Sequence, residues 1–148
     1  WVLHMLRQEL GDSLFWKSIR QYYTTYAGKT ASTEDLQKVA EAASGKKLDQ
    51  FFRQWLYTTE NPQLKISWKY NAAAKQIQAT VEQLQKGTLF QLPLQVEMSF
   101  PGGKKITQFM HLQTVVQQYT WPAAERPLHF KADPYTSLLF DGVVTEVK

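Results

Sequence analysis

Over roughly its first sixty positions the chain repeats its apolar residues at helical spacing, and beyond them it repeats at strand spacing. The change of period falls within GKKLDQFFRQWLYTTENPQLKISWKY, from Gly45 to Tyr70. Leu48, Phe51, Phe52, Trp55 and Leu56 stand at i, i+3, i+4, i+7 and i+8, which draws one apolar stripe along a short helix. Thr58 to Asn61 are poor helix formers, and Pro62 denies its own N–H while pushing Asn61 out of the α region, so the helix must stop. From Leu64 the phase is two. Leu64, Ile66, Trp68 and Tyr70 share one side of a strand, with Lys65, Ser67 and Lys69 on the other.

Three more helices are predicted before that seam. In WVLHMLRQELG the residues Trp1, Val2, Leu3, Met5, Leu6 and Leu10 cover an arc of about 200°, wider than the single stripe of a surface helix, so this helix wants cover on two sides. Gly11 ends it, and Asp12 or Ser13 can cap the next. The second helix carries Phe15, Ile19, Tyr22 and Tyr26 on one face, widened by Leu14, Trp16 and Tyr23, and Gly28 closes it. The third starts near Ser32 or Thr33, with Ser32 and Asp35 imitating a capping box, and turns Leu36, Val39, Ala40 and Ala43 inward until Gly45.

After the seam, strand signals recur at short spacing. NAAAK leads into Ile77, Ala79 and Val81; QKG makes a turn; Phe90 to Phe100 alternate over a long strand in which Pro93 argues for an edge or a bulge. PGGK, Pro101 to Lys104, signals a hairpin whose return strand is Ile106, Gln108, Met110 and Leu112, with polar Gln108 breaking the alternation. Val115–Trp121, Leu128–Ala132 and Leu138–Val147 complete about seven strands. The expected fold is therefore α+β: a short helical segment, residues 1–61, followed by an all-β immunoglobulin-like sandwich, residues 62–148.

Composition adds little to this picture and excludes several classes. Hydrophobic residues make 43% of the 148 and charged residues 20%, the balance of a chain that buries a core rather than staying disordered. The net charge of +4 comes chiefly from the sheet half, where Lys65, Lys69, Lys75, Lys86, Lys104, Lys105, Arg126, Lys131 and Lys148 are scattered with no basic run longer than a pair. Nucleic-acid binding wants a concentrated patch, so it is not expected. No apolar run approaches the roughly 20 residues of a membrane span, and with no cysteine there is neither a disulfide nor a thiolate metal site. The chain opens on Trp1 already inside a helical pattern, which suggests a piece of something longer.

Candidate chemistry is sparse. A zinc site needs about three protein ligands, at least two of them close in sequence, whereas this chain has only His4, His111 and His129, and His4 is followed by Met5 rather than by the rest of an H-E-x-x-H helix. There is no G-x-S-x-G elbow, no phosphate-cradling glycine loop, and Glu34, Asp35 and Asp49 read as helix-start charges before catalytic acids. Catalytic, metal-binding and cofactor-binding residues are each expected to be none. Among the tryptophans, Trp68 is in phase with the core, Trp55 belongs to the stripe of the fourth helix, and Trp121, in YTWP, falls in a loop region where core and ligand platform remain open.

Taken together, WVLHMLRQELGDSLFWKSIRQYYTTYAGK, ASTEDLQKVAEAASGKKLDQFFRQWLYTTENPQL, VEQLQKGTLFQLPLQVEMSF and PLHFKADPYTSLLF resemble, in order and spacing, the aminopeptidase-N-like zinc metallopeptidases of peptidase family M1, a gluzincin group. The resemblance implies that residues 1–61 are the last helices of a thermolysin-like catalytic domain and residues 62–148 the β-sandwich that follows it. It implies that the family's H-E-x-x-H, its downstream Glu and the Tyr of its Y-x-K-G-like segment all lie before Trp1. For the parent it implies removal of N-terminal residues from peptides by a zinc-bound water, with Glu as general base and Tyr at the oxyanion. Zinc is then a cofactor of the parent and not of this chain, which would supply packing and a lateral wall.

The expected partners follow: the upstream catalytic domain of the same polypeptide, a peptide substrate only through that parent, and a second copy through the Trp1–Leu10 helix if its outer face is left bare. The alternative is a stand-alone sandwich that binds a ligand with Tyr119 and Trp121, or a scaffold from a catalytically degenerate homologue. A bacterial periplasmic or exported location is the expectation for compartment.

Overall fold

The structure is a computed structural model and describes residues 1–147. Four helices come first: α1 (Val2–Leu10), α2 (Asp12–Tyr26), α3 (Thr33–Ser44) and α4 (Asp49–Leu56). Seven strands follow: β1 (Gln63–Asn71), β2 (Gln76–Gln83), β3 (Leu92–Ser99), β4 (Lys105–Leu112), β5 (Val116–Pro122), β6 (His129–Ala132) and β7 (Asp141–Glu146). The chain divides into two compact units between Thr58 and Thr59. The segment just after the division goes with the strands for a local reason: the Gly87 N–H donates to Glu60 Oε2 at 3.1 Å, and the Asp141 N–H donates to the Pro62 carbonyl at 2.9 Å.

In the helical unit, Leu6, Leu10, Phe15, Ala40, Leu48 and Phe52 form one buried cluster, with Leu14, Ile19, Leu36 and Phe51 packed against it. Each helix contributes some of its predicted inner positions, at about 1.5 to 3 kcal/mol for each large side chain taken fully from water. Both ends of α3 sit where sequence chemistry puts them. Gly45 takes the left-handed conformation, φ 71°, that ends α3, and its N–H reaches the Glu41 carbonyl. Ser32 accepts from the Asp35 N–H at 3.3 Å while Asp35 accepts from the Ser32 N–H at 3.0 Å, a complete capping box. At the α3–α4 corner, Glu41 Oε1 accepts from the Leu48 N–H at 2.8 Å and from Gln37 Nε2, which also donates to Asp49.

Two expectations in this unit are corrected. Neither Asp12 nor Ser13 caps α2: Gly11 is the N-cap, and Asp12, in the first turn, pairs instead with Arg7, at 2.7 Å from Nε and 2.9 Å from Nη2. The stripe of α4 is also rotated at its end. Leu56 is exposed, and Gln54 takes a buried place, its Oε1 accepting from Gln50 Nε2 at 3.3 Å.

The strands form two sheets, ordered β5-β2-β1-β7 and β4-β3-β6. Alternation holds through β1, β2 and β3, whose inward rows are Leu64, Ile66 and Trp68; Ile77, Ala79, Val81 and Gln83; and Leu92, Leu94, Val96 and Met98. The two inner faces meet where the Trp68 ring of β1 stacks on Phe130 of β6, centroids 5.4 Å apart. This is the expected α+β architecture, four helices and then a two-sheet sandwich.

Several strand bounds differ from the expected ones. The long strand from Phe90 is shorter, β3 beginning at Leu92, and β7 covers only the middle of Leu138–Val147. Most pairings are antiparallel, but β7 runs parallel to β1, with Gln63 opposite Asp141 and Trp68 opposite Glu146. Pro93 lies in the central strand of its sheet, yet β6 pairs only with Val96 to Ser99, so the ladder on that side stops short of the proline. Gln108, which breaks the alternation of β4, keeps its inward phase and is half-buried. Trp121 is not in a loop. It lies on β5 opposite Ile77.

Buried Gln83 joins the strands to the loop that follows. Its Oε1 accepts from the Phe90 N–H at 3.0 Å and from Gln85 Nε2 at 2.7 Å, while its Nε2 donates to the Phe90 carbonyl at 2.9 Å. Buried Asp133 has a similar task at φ 43°, accepting from the Ser137 and Leu138 N–H groups at 2.8 and 3.0 Å.

Candidate functional site

The helical unit presents an apolar outer face on α1. Met5, Leu6 and Leu10 point into the core, which leaves Trp1 56% and Leu3 53% exposed. The Trp1 ring meets His4 edge-on, with centroids 5.5 Å apart, and the Arg7 guanidinium lies 5.6 Å over the exposed Trp16 ring. Asp12 draws the Arg7 pKa upward, chiefly by its hydrogen bond, and Arg7 holds the Asp12 carboxyl below its usual range by the same contact.

Four aromatic residues of the sheet unit, Trp68, Tyr119, Trp121 and Phe130, form an inward lattice. Tyr119 and Trp121 stack nearly parallel at 5.9 Å, Trp121 tilts against Phe130 at 6.3 Å, and Phe130 stacks on Trp68. The Tyr119 hydroxyl donates to the His111 carbonyl at 2.8 Å, and burial raises its pKa. Both rings are half-buried on the core side of β5, so the Tyr119–Trp121 pair is a packing element and not a ring platform facing solvent.

The histidines are dispersed. His4 sits on α1; His111 lies opposite Pro93 and His129 opposite Ser99, at the two ends of β3 and on either side of it. Six residues along a strand is roughly 20 Å, far beyond the span of one coordination sphere. His111 instead stacks with Phe109, centroids 6.3 Å apart. Among the described residues no group of three or more His, Cys, Asp or Glu could hold a metal ion. The donors among the described residues do not match the set a zinc centre needs. The carboxylates weighed in the sequence have local partners. Glu34 accepts from the Tyr57 hydroxyl at 2.7 Å, which lowers its pKa; Asp35 is lowered chiefly by the Ser32 N–H; Asp49 accepts from Gln37.

A different surface was not legible in the sequence. On the outward face of β5, β2 and β1 lies a depression of about 280 Å3 lined by Ser67, Lys69, Gln78, Thr80, Gln118 and Thr120. The sequence marks these as outward positions, but only the register sets them side by side.

Comparison with known proteins bears on the whole chain. Residues 1–55, within the helical unit, match the peptidase family M1 domain. Aminopeptidase N of Haemophilus influenzae is 32% identical over 111 residues, covering 70% of this chain and 13% of that protein; a match of that length runs past the helical unit into the strands. The crystal structure of Legionella pneumophila aminopeptidase A in complex with aspartic acid shares the fold with a TM-score of 0.80 at 16% identity, over 96% of this chain and 17% of that one. The chain thus spans a small part of the length of each protein it matches. With the family match on its helices, the sequence likeness running into its strands and the fold shared throughout, the chain is a peptidase family M1, aminopeptidase-like segment.

Proposed function

We propose that this chain is a non-catalytic structural segment of a zinc-dependent aminopeptidase that removes N-terminal residues from peptides. In this reading residues 1–61 close the helical side of a thermolysin-like catalytic domain, and residues 62–148 form the sandwich beside it. The observation that carries it is the family match on residues 1–55, coupled to an α1 whose outer face, Trp1 and Leu3, has no cover within its own unit. A helix apolar over so much of its circumference is stable in water only at the expense of exposed apolar area, and a flanking domain removes that exposure.

The chemistry of the parent falls outside these residues. Zinc, when bound there, would supply the activated water. What this chain contributes is a braced framework: the capping box, the Glu41–Leu48 corner and the Gln83 loop tie fix their elements by side-chain to backbone hydrogen bonds. The ligand-platform alternative gains no support, since Tyr119 and Trp121 turn toward the core.

The test is to assay the purified chain for metal and for turnover of aminoacyl-anilide substrates, alone and after adding the upstream part of the same polypeptide in trans. The reading requires no stoichiometric zinc and no turnover by the chain alone, and aminopeptidase activity once the two parts are combined. Cleavage by the isolated chain, or an upstream part that is fully active without it, refutes the structural role.

A further inference from the structure

Strand β7 is held to the sheet from one side. It pairs only with β1, in parallel, and none of its six residues is buried. β1 has the opposite character: Leu64, Ile66 and Trp68 are core residues, and β7 is what keeps the outer edge of their strand from water. The fastening between the two is specific. The Asp141 and Val147 N–H groups donate to the Pro62 and Trp68 carbonyls, both at 2.9 Å, at the two ends of the strand. Gly142 lies opposite Leu64, and a Cβ there would stand 3.1 Å from the Leu64 carbonyl oxygen and 2.8 Å from the Phe140 ring. Glu146 accepts a forked contact from Arg126, with Nη2 2.7 Å from both carboxylate oxygens and Nε 3.0 Å from Oε1.

The segment that leads into β7, residues 133–140, is neither helix nor strand, and it is bent under strain. Asp133 and Thr136 hold φ at 43° and 54°, in the left-handed region, and Thr136 is β-branched, for which that region is costly. Asp133 maintains the bend. Its carbonyl accepts from the Thr136 N–H at 3.1 Å, and its carboxylate accepts from the Ser137 and Leu138 N–H groups. Pulled straight, the segment frees Thr136 from its strained conformation, and eight extended residues reach about 26 Å, enough to carry β7 to a neighbouring molecule. A short strained hinge ahead of an edge strand is the arrangement that favours exchange of that strand between copies.

The occupant is fixed by what the edge of β1 accepts: a strand with glycine opposite Leu64 and, four residues on, a carboxylate within reach of Arg126. β7 of a second copy meets that description by identity. We propose that β7 exchanges between two copies of this chain, each β7 lying on β1 of the other copy and each Glu146 meeting the other copy's Arg126. The exchanged dimer keeps the β1–β7 pairing and the ion pair, and gives up only the Asp133 bend. The proposal is independent of the peptidase reading.

Exchange requires β7 to detach, so the test is refolding of the full chain from urea at high concentration. All samples carry Trp1→Ser and Leu3→Ser, which silence association through α1. Arg126→Glu and Glu146→Arg each set like charges against one another, in the monomer and in a homodimer alike. Refolded together, the two variants regain opposite charges at both contacts, but only in an exchanged dimer with one copy of each. Light scattering after size exclusion should show a dimer fraction about threefold or more above that of either variant refolded alone. Native mass spectrometry should find the mixed pair in excess, and isotope-filtered NOEs should run from Ile66 of one copy to Val144 of the other. A chain carrying both substitutions restores the pair within one copy and should return to the dimer fraction of the unreversed chain. Thr136→Gly, which relaxes the bent hinge, should lower that fraction. A mixture no more dimeric than its components, no excess of the mixed pair, NOEs confined to one copy, or a dimer fraction unmoved by Thr136→Gly overturns the proposal.

Discussion

Replacing Gln83 with leucine removes a polar side chain that is only 4% exposed while keeping its bulk. The substitution deprives the fully buried Phe90 of two backbone bonds, at 3.0 Å to its N–H and 2.9 Å from its carbonyl, and takes away the Gln85 contact at 2.7 Å. Each buried backbone group that loses its partner costs about 1–3 kcal/mol, so the two at Phe90 cost about 2–6 kcal/mol. The new leucine methyl groups bury apolar surface and return roughly 1 kcal/mol. A net loss of about 1–5 kcal/mol, centred near 3, is expected, a large share of the ~5–15 kcal/mol that holds a domain together. For a unit of this size it should lower the melting temperature of the sheet unit by roughly ten degrees or more. Urea unfolding followed by circular dichroism measures the loss, and amide exchange at Phe90 should accelerate before that of the β1–β2 pairs. A destabilisation below about 1 kcal/mol, or unchanged exchange at Phe90, would refute the assignment of Gln83 as the tie between strand and loop.

Trp68→Ala removes the ring stacked on Phe130 and should cost about 3–5 kcal/mol in thermal or chemical unfolding; Trp121→Ala, half-buried, should cost less, and the reverse order would contradict the inward lattice. Ser32→Ala removes the capping box and should destabilise the helical unit by about 1 kcal/mol, read from its unfolding midpoint. Glu34 and Asp35 both have lowered pKa values, so their contribution is complete above the ordinary carboxylate range and fades as pH falls through the lowered values; Tyr57→Phe, which removes the chief cause at Glu34, should flatten that acid limb. Sedimentation should detect self-association of the chain at high concentration, and Trp1→Ser with Leu3→Ser should abolish it; a monomeric parent chain would count against an exposed α1 seam.

What the sequence determined by itself was local. Gly11 and Gly45 close helices because a positive φ suits glycine there, 76° and 71° respectively, and Ser32 with Asp35 opens one because their side chains reach their own backbone. The inward rows of β1 to β3 follow from a period of two and need no partner strand to be read. The tertiary structure alone decided matters between distant positions. That β7 lies parallel on β1, that Trp121 turns inward against Phe130, that Gln54 is buried while Leu56 is exposed, and that Gln78 stands between Lys69 and Thr120 all depend on residues far apart in the chain. Periodicity records which side of an element is apolar. It carries no record of which element lies opposite, because strand register and side-chain packing are chosen by the energy of the assembled core.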